Sequence, residues 1–251
     1  MLRYYGFATR DYLILENIRL QKDSSVLEIG VGTGSTTRHF IGKVKYYCGV
    51  DISKETIKQL ITIYKKDKSV GFYVADVCKD INIGKKFDII FSADTLEHVE
   101  EPGAYFYFIK KHLNSDGVAL ITFPNESEKK HHGITWFDKK EDLVRVIEES
   151  GLEILDIYQV KKTNYHRLIE YFLWKLPKSI MSRKSDLLPQ SFEDTQAFEV
   201  NDTGGIKANL FAIYSRIVTR FAACFTLYKL SDNLETISDK VLLMHLKHKS
   251  K

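Results

Sequence analysis

Short apolar runs alternate with amphipathic stretches along the first 160 residues of the chain. The apolar runs are rich in β-branched and aromatic residues, which is typical of buried strands. The stretches between them carry apolar residues at the three- and four-residue spacing of a helix, as at Ile57, Leu60 and Tyr64. The predicted strands are 25–29, 46–50, 70–75, 87–91, 118–123 and 152–160, and the predicted helices are 10–20, 35–42 and 138–149, with two more that begin after Ser53 and at Pro102.

The pattern changes after Val160. Before this point strand and helix alternate with short turns, which is the signature of a parallel, doubly wound α/β sheet covered by helices on both faces. After it, residues 165–176 predict an aromatic amphipathic helix, 182–205 a polar loop and 206–220 a further helix. The apolar run 222–230 either extends that helix or forms one more strand.

Composition narrows the class of protein only slightly. Hydrophobic residues make up 44% and charged residues 28% of the chain, the balance of a soluble globular protein. The net charge of +4 is too small to indicate a nucleic-acid partner, and none is expected. Cys48, Cys78 and Cys224 lie far apart without C-x-x-C spacing, which predicts neither a disulfide framework nor a zinc site. With no signal-peptide pattern and no apolar window of about 20 residues, a cytoplasmic protein is expected.

A glycine-rich turn follows the first predicted strand. Gly30, Gly32 and Gly34 stand at alternate positions before a predicted helix, an arrangement that lets backbone approach a ligand closely. A dinucleotide-binding fingerprint requires glycine at the position that Ser35 occupies. Glu28, just before the turn, would repel a pyrophosphate and suits a cationic ligand. The alternative is an ordinary glycine-rich turn between a strand and a helix.

Acidic residues follow the next three strands. Asp51, with Ile52 beside it, ends the second strand about twenty residues after the glycines, where a carboxylate can accept hydrogen bonds from ribose hydroxyls. Asp76 ends the third strand and can accept from an adenine amine while Val77 packs on the ring, although a turn cap is the alternative role for Asp76. The end of the fourth strand, with Asp94, would face the reacting part of a cofactor and the substrate.

The ordered series VLEIGVGTG, GVDIS, VADV, FDIIFSADTLEHV and GVALITFPN resembles the successive motifs of class I S-adenosylmethionine-dependent methyltransferases. The likeness covers roughly residues 20–160 and is closest to a subgroup that includes ubiquinone-pathway and glycan-cluster enzymes. It implies S-adenosylmethionine as the cofactor. It further implies that Gly30, Gly32 and Gly34 line the methionine and ribose of the cofactor and that Glu28 orients its amino group. The remaining implied contacts follow the strand ends: Asp51 and Ile52 at the ribose, Asp76 and Val77 at adenine, and Asp94 and Leu96 beside the sulfonium.

In such enzymes an antiparallel seventh strand closes the sheet. The resemblance therefore implies a Rossmann-like doubly wound sheet of seven strands, mostly parallel, with 221–230 as the closing strand. Residues 1–160 would form the core and 161–220 a helical insertion between strands six and seven. Residues 231–251 would be an extra basic tail, expected to be solvated.

Methyl transfer is an in-line displacement that needs alignment and exclusion of water. A base helps an alcohol or phenol react and is dispensable for a neutral amine. His131 and His132 follow the fifth strand, with His132 the preferred base, and a pair of solvated loop histidines is the alternative. His98 is nearer the cofactor motifs, but its L-E-H run is similar in relatives with different substrates, which favours a structural or shared role. No metal-ligand spacing is visible, so a metal-independent enzyme is predicted.

Basic residues surround bulky aromatic ones in 165–184, as in a helix that lies on a membrane surface. This pattern predicts a lid over an apolar or lipid-linked substrate, docked on an anionic membrane together with the basic tail; a helical cap or a dimer interface is the alternative. The predicted function is methyl transfer to an oxygen of a small-molecule, glycan or lipid-linked acceptor. An N-methyltransferase, a degenerate scaffold and an NAD(P)-dependent oxidoreductase are the alternatives.

Overall fold

A computed structural model describes most of the first 125 residues and several later parts of the chain. Residues 14–160 and 230–251 form one compact unit, and residues 1–13 and 161–229 belong to a second. No helix among the described residues is long and apolar enough to cross a membrane. The described residues are 14, 15, 17–34, 36–79, 81–125, 140–162, 168, 171, 172, 228–231 and 240–249.

The described elements follow the predicted order. Two helix boundaries have clear local causes: the Ser53 hydroxyl accepts from the Thr56 amide at 3.3 Å and caps the second helix, and Pro102 begins the third. The strands are β1 (Ser25–Ile29), β2 (Tyr46–Asp51), β3 (Val70–Val74), β4 (Phe87–Ala93), β5 (Leu113–Asn125), β6 (Leu152–Lys162), β7 (Tyr228–Ser231) and β8 (Lys240–His248). The helices are α1 (Thr37–Phe40), α2 (Lys54–Tyr64), α3 (Pro102–His112) and α4 (Lys140–Glu149), with a 3-10 helix at Leu96–His98.

In the part of the chain that the structure describes, the sheet has eight strands in the order β3-β2-β1-β4-β5-β8-β6-β7. β1 pairs in parallel with β2 and β4, β2 with β3, and β4 with β5, whereas β8 is antiparallel to both β5 and β6. The predicted Rossmann-like doubly wound sheet, mostly parallel with an antiparallel closing strand, is thereby confirmed. One strand exceeds the predicted seven, and it is β7 at the outer edge.

Alternate residues of β1 pack against the two faces of the sheet. Leu27 belongs to the same core cluster as Phe106 of α3 and Ile147 of α4. Val26 belongs to the other cluster, with Leu60 of α2. Helices therefore cover both faces, as the alternating pattern predicts. The strand order reverses between β1 and β4. The carboxyl ends of the parallel strands β1 to β5 lie at one edge of the sheet, called the carboxyl edge below, and open α/β sheets bind ligands at this edge.

The position of the closing strand is a correction. The sequence predicts it at 221–230, but β8 (Lys240–His248) lies between β5 and β6 in that place. Residues 221–227 lie outside the described residues, and the last residues of the predicted strand begin β7 instead. The segment 231–251, predicted to be a solvated basic tail, thus contains an interior strand.

Burial explains why β8 is a strand rather than a tail. Leu243, Met244 and Leu246 are each 0% exposed, and Met244 and Leu246 belong to the core cluster that also contains residues of α3 and α4. The basic residues that suggested a tail have acidic partners, such as Glu153 at 2.9 Å from the Lys247 ammonium. The predicted helical insertion 161–220 lies outside the described residues except for the end of β6 and residues 168, 171 and 172, so that boundary stays a prediction.

Candidate functional site

The glycine turn after β1 is built from three residues in the left-handed region. Gly30, Gly32 and Gly34 have φ of +74°, +48° and +75°, values that side chains with a Cβ rarely adopt. A Cβ at Gly30 would overlap the Thr95 hydroxyl, and one at Gly34 would lie 2.6 Å from a methyl of Leu60. At Gly32 the nearest atom to a Cβ would be a carbonyl oxygen at 3.9 Å. Two glycines therefore allow packing behind the turn, and Gly32 leaves open space in front of its backbone.

Asp51 connects the end of β2 to this turn. One carboxylate oxygen accepts from the Gly32 amide at 2.8 Å, and the other accepts from the Ser53 amide at 2.9 Å. A carboxylate has about four acceptor positions, so both oxygens keep capacity for ligand hydroxyls. Ile52 stands beside it with 71% of its surface exposed, which presents an apolar side chain at the carboxyl edge. The structure thus brings together the glycine and acid motifs that lie twenty residues apart in the sequence.

Asp76 and Val77 follow β3 at the same edge. The Ala75 amide donates to the Asp51 carbonyl at 2.9 Å, which places this segment next to the end of β2. Asp76 accepts from the Cys78 amide at 3.1 Å and thereby has the turn-capping contact that the sequence left as an alternative. Val77 is buried in the hydrophobic core with 8% exposure. Contacts of these two residues with adenine stay predictions.

The end of β4 carries a backbone feature that the sequence does not reveal. Asp94 has φ of +47° and is the one non-glycine residue of the described chain in the left-handed region. Its amide donates to the Thr122 carbonyl at 2.9 Å, and the Thr122 hydroxyl donates to its carboxylate at 3.3 Å. Leu96, the first residue of the 3-10 helix, is fully buried. The carboxylate of Asp94 is therefore held at the carboxyl edge, while Leu96 belongs to the core.

Glu28 lies deeper than its predicted role suggests. It is 2% exposed, and its carboxylate accepts from the hydroxyls of Thr36 and Tyr47. The Thr37 and Tyr47 hydroxyls lie 3.0 Å apart and extend this buried network. Burial, followed by the negative charge of Glu28, raises the pKa of Tyr47 well above its usual value. The contacts show Glu28 holding the far end of the glycine turn to β2, and its contact with a cofactor amino group stays a prediction.

Sequence reasoning misses Thr95 as a functional residue. Its hydroxyl donates to the Ile29 carbonyl at 3.3 Å and occupies the volume that a Cβ at Gly30 would need. The Thr95 side chain therefore holds the end of β4 against the glycine turn. The missing side chain at Gly30 is the one signal that could have indicated a close neighbour, and nothing in the sequence identifies that neighbour as Thr95.

One of the three candidate catalytic histidines, His98, lies within the described residues. His98 ends the 3-10 helix with 54% of its side chain exposed, and its Nε2 lies 4.0 Å from a Glu97 carboxylate oxygen. His131 and His132 lie outside the described residues. Among the described side chains, no group of three or more His, Cys, Asp and Glu could hold a metal ion.

The carboxyl edge suits a ligand with adenosine and cationic amino-acid parts. The open space at Gly32 admits close approach to backbone, Asp51 can accept from hydroxyls, and Asp94 supplies a fixed negative charge. All three lie at the point where the strand order reverses. A glycine turn joined to an acid at the end of β2, with serine and not glycine at position 35, is typical of the class of S-adenosylmethionine-binding Rossmann-like proteins.

Comparisons with known proteins agree with this class. A family model described as a methyltransferase domain matches residues 6–157. Ubiquinone biosynthesis O-methyltransferase from Rickettsia canadensis is 20% identical over 178 residues, which cover 62% of this chain and 71% of that protein. Phosphoethanolamine N-methyltransferase 1 from Arabidopsis thaliana is 30% identical over 110 residues, or 43% of this chain and 22% of that protein.

Solved structures share the fold over nearly the whole chain. Phosphoethanolamine N-methyltransferase 2 from Haemonchus contortus, in complex with S-adenosyl-L-methionine, is 18% identical with a TM-score of 0.57, covering 97% of this chain and 53% of that one. The cyclase SpnF is 15% identical with a TM-score of 0.58, covering 97% and 82%. The chain belongs to the methyltransferase domain family. It is an S-adenosylmethionine-dependent methyltransferase of class I, and S-adenosylmethionine is its cofactor.

Proposed function

We propose that this methyltransferase acts on an oxygen of a small-molecule acceptor, including glycan and lipid-linked acceptors. The observation that carries the methyl-transfer part of the proposal is the hydrogen bond of 2.8 Å from the Gly32 amide to Asp51, which brings the acid proposed to bind ribose next to the open glycine turn. The choice of oxygen is supported by the similarity to ubiquinone biosynthesis O-methyltransferases from Rickettsia canadensis and Pelagibacter ubique.

The chain's own residues have to align and shield the reacting groups. The bound cofactor supplies a methyl group already activated on a sulfonium, so the protein needs little covalent chemistry of its own. The Gly32 backbone and Asp51 would hold the methionine and ribose, and Asp76 would hold adenine. Asp94 would keep a negative charge beside the positively charged part of the cofactor. His132 is the proposed base that takes the proton from an alcohol or phenol.

N-methylation is the second candidate function. It is favoured by the 30% identity with the Arabidopsis phosphoethanolamine N-methyltransferase, which covers 43% of this chain. The two functions differ in their need for a base, because a neutral amine attacks without losing a proton first. Turnover that survives the His132→Ala substitution with an amine acceptor would favour nitrogen over oxygen.

The first experiment measures cofactor binding by calorimetric titration with S-adenosylhomocysteine. We expect binding in the micromolar range for the unaltered chain and at least about tenfold weaker binding for Asp51→Ala, since a hydrogen bond to a charged group contributes about 1.5–3 kcal/mol. Asp116→Ala, which removes an exposed acid near the amino end of β5, is the matched control and should bind normally. Equal affinity in the Asp51 and Asp116 variants would contradict the proposed ribose contact.

Two further aspects of the function stay predictions. One is the cytoplasmic location, and the other is contact with a membrane surface through 165–184. In favour of the contact, Leu168, Tyr171 and Phe172 stand at helical spacing and are 53%, 51% and 57% exposed. Such a row of exposed apolar side chains suits a lid for an apolar acceptor or an interfacial helix.

A further inference from the structure

Asp94 has two contacts with a single residue of the neighbouring strand. Its amide donates to the Thr122 carbonyl at 2.9 Å, and its carboxylate accepts from the Thr122 hydroxyl at 3.3 Å. The first contact fixes the backbone where the chain leaves β4, and the second fixes the direction of the carboxylate. We propose that Thr122 is a positioning residue that holds the Asp94 charge toward the cofactor sulfonium, an inference that rests on the proposed function.

The backbone of Asp94 needs such support. Ala93 and Thr122 are the last paired residues of β4 and β5, so Asp94 is the first residue beyond the pairing. Its φ of +47° costs free energy in a residue with a Cβ, although aspartate tolerates the left-handed region better than most residues. Such a conformation persists where neighbouring contacts hold it, and it concentrates at functional sites. The Thr122 carbonyl supplies one such contact.

A methyl group could replace the Thr122 hydroxyl without changing the packing. Thr122 is 0% exposed and pairs with Ala93 on one side and with Leu243 of β8 on the other. A hydroxyl buried among apolar neighbours needs a hydrogen-bond partner, and here that partner is the Asp94 carboxylate. Valine has nearly the same shape without the hydroxyl, so Thr122→Val removes the side-chain contact and leaves the carbonyl contact in place.

Charge makes the proposal distinguishable from a purely structural role. S-adenosylmethionine carries a positive sulfonium, whereas the sulfur of S-adenosylhomocysteine is neutral. A carboxylate aimed at the sulfur therefore favours the first ligand over the second. A Thr122 that merely stabilises the fold would change the affinities of both ligands equally.

The test is calorimetric titration of the unaltered chain, Thr122→Val, Thr122→Ser, Asp94→Asn and the double variant Asp94→Asn/Thr122→Val with both ligands. We expect Thr122→Val to weaken S-adenosylmethionine binding by roughly tenfold, as for loss of a hydrogen bond to a charged group, and S-adenosylhomocysteine binding by clearly less. Thr122→Ser, which keeps the hydroxyl, should restore the preference. The double variant should bind no more weakly than Asp94→Asn alone, because the two residues act through one contact.

The titrations can contradict the proposal in three ways, and each leads to a different conclusion. If the unaltered chain binds both ligands and Thr122→Val keeps its preference between them, the positioning role is overturned while the proposed function stands. Equal weakening for both ligands, accompanied by a lower urea midpoint, would also overturn it and assign Thr122 to stability. If the unaltered chain binds neither ligand, the proposed function fails and this inference fails with it.

Discussion

The two halves of the sheet are built in different ways. In the cofactor half, β1, β2 and β3 lie side by side in chain order and are joined by short helices and turns, and β4 pairs with β1 on the other side. In the closing half, β5, β8 and β6, the central strand comes from the far end of the sequence. The contact between His248 and the Leu113 carbonyl, at 3.0 Å, spans 135 positions of the chain. Three of the four strands of the cofactor half are therefore arranged by short local connections, whereas the centre of the closing half depends on pairing with the far end of the chain.

The halves also differ in where they place polar groups and strain. The cofactor half has four residues with positive φ at the carboxyl edge, namely Gly30, Gly32, Gly34 and Asp94. The closing half instead has an apolar interior strand, flanked by ion pairs such as that of Lys247. Function and stability should therefore respond separately: substitutions inside β8 should affect unfolding alone, and those near the glycine turn should affect both unfolding and cofactor binding.

The largest effect is expected from shortening a buried side chain of β8. Leu246 is 0% exposed in the core cluster shared by α3 and α4, so Leu246→Ala should lower the free energy of unfolding by about 2–5 kcal/mol. Urea denaturation followed by circular dichroism measures this change. The affinity for S-adenosylhomocysteine of the folded protein should stay unchanged.

Lys247→Ala provides the matched control on the same strand. Its ion pair with Glu153, at 2.9 Å, is partly exposed, and such pairs contribute about 1 kcal/mol or less. An effect of Leu246→Ala as small as that of Lys247→Ala would mean that this segment behaves as the solvated tail that its composition suggests.

Local sequence patterns explain which parts of the fold could be predicted. The strands from β1 to β6, the glycine turn and the acid at Asp51 could be predicted because each depends on a pattern within a few residues. The 221–230 prediction failed because the run AACFTLYKL and the run KVLLMHLKH are both apolar and only tertiary pairing separates them. Lysines and histidines made the true strand resemble a tail, although their acidic partners lie on β6 and α4.

The supporting residues of the site could not be predicted for a related reason. Thr95 and Thr122 are common residues in ordinary strand-end positions, and they acquire roles only because β4 lies between β1 and β5. Tyr47 reads as a core aromatic, and it becomes part of the site through the buried Glu28 carboxylate opposite it. In each case the chemistry depends on which strands are neighbours, and periodicity carries no information about that.

A smaller effect on stability, combined with an effect on binding, is expected for Tyr47→Phe. The substitution keeps the ring in the core and removes a donor from the buried Glu28 carboxylate, which should cost about 1–3 kcal/mol of unfolding free energy. Because Glu28 also holds Thr36 at the end of the glycine turn, binding of S-adenosylhomocysteine should weaken as well. Urea denaturation and calorimetry measure the two effects on the same sample.

Tyr46→Phe is the control for Tyr47→Phe. Tyr46 precedes Tyr47 on the same strand, but its ring stacks on Phe87 at 6.4 Å, on the opposite face of the sheet. This variant should bind the ligand normally. If Tyr47→Phe lowers the free energy of unfolding but keeps the full affinity for the ligand, the Glu28 network does not support the glycine turn.

The smallest effect concerns pH and a histidine at the boundary of the two halves. His112 ends α3 with 1% exposure, its Nδ1 donates to the Phe108 carbonyl at 2.9 Å, and its Nε2 accepts from the Ile83 amide at 3.1 Å. Burial lowers the pKa of His112 below its usual value; the Phe108 carbonyl opposes this shift, and Lys111 and Lys86 add to it. Protonation of Nε2 would also remove the acceptor for the Ile83 amide.

The direction of the pH effect follows from this lowered pKa. The unfolded chain binds the proton more readily than the folded one, so the contribution of His112 is fully present above about pH 6.5 and is lost as the pH falls below it. The slope for one such group is at most about 1.4 kcal/mol per pH unit. Burial lowers the pKa of His245 in the same sense, against the opposing charge of Asp156. Urea denaturation at pH 7.5 and 5.5 should show lower stability at the acidic value, and His112→Gln should reduce that difference. If the stability difference between pH 7.5 and 5.5 is the same in His112→Gln as in the unaltered chain, the pH dependence belongs to His245 and other groups, and His112 does not contribute to it by titrating.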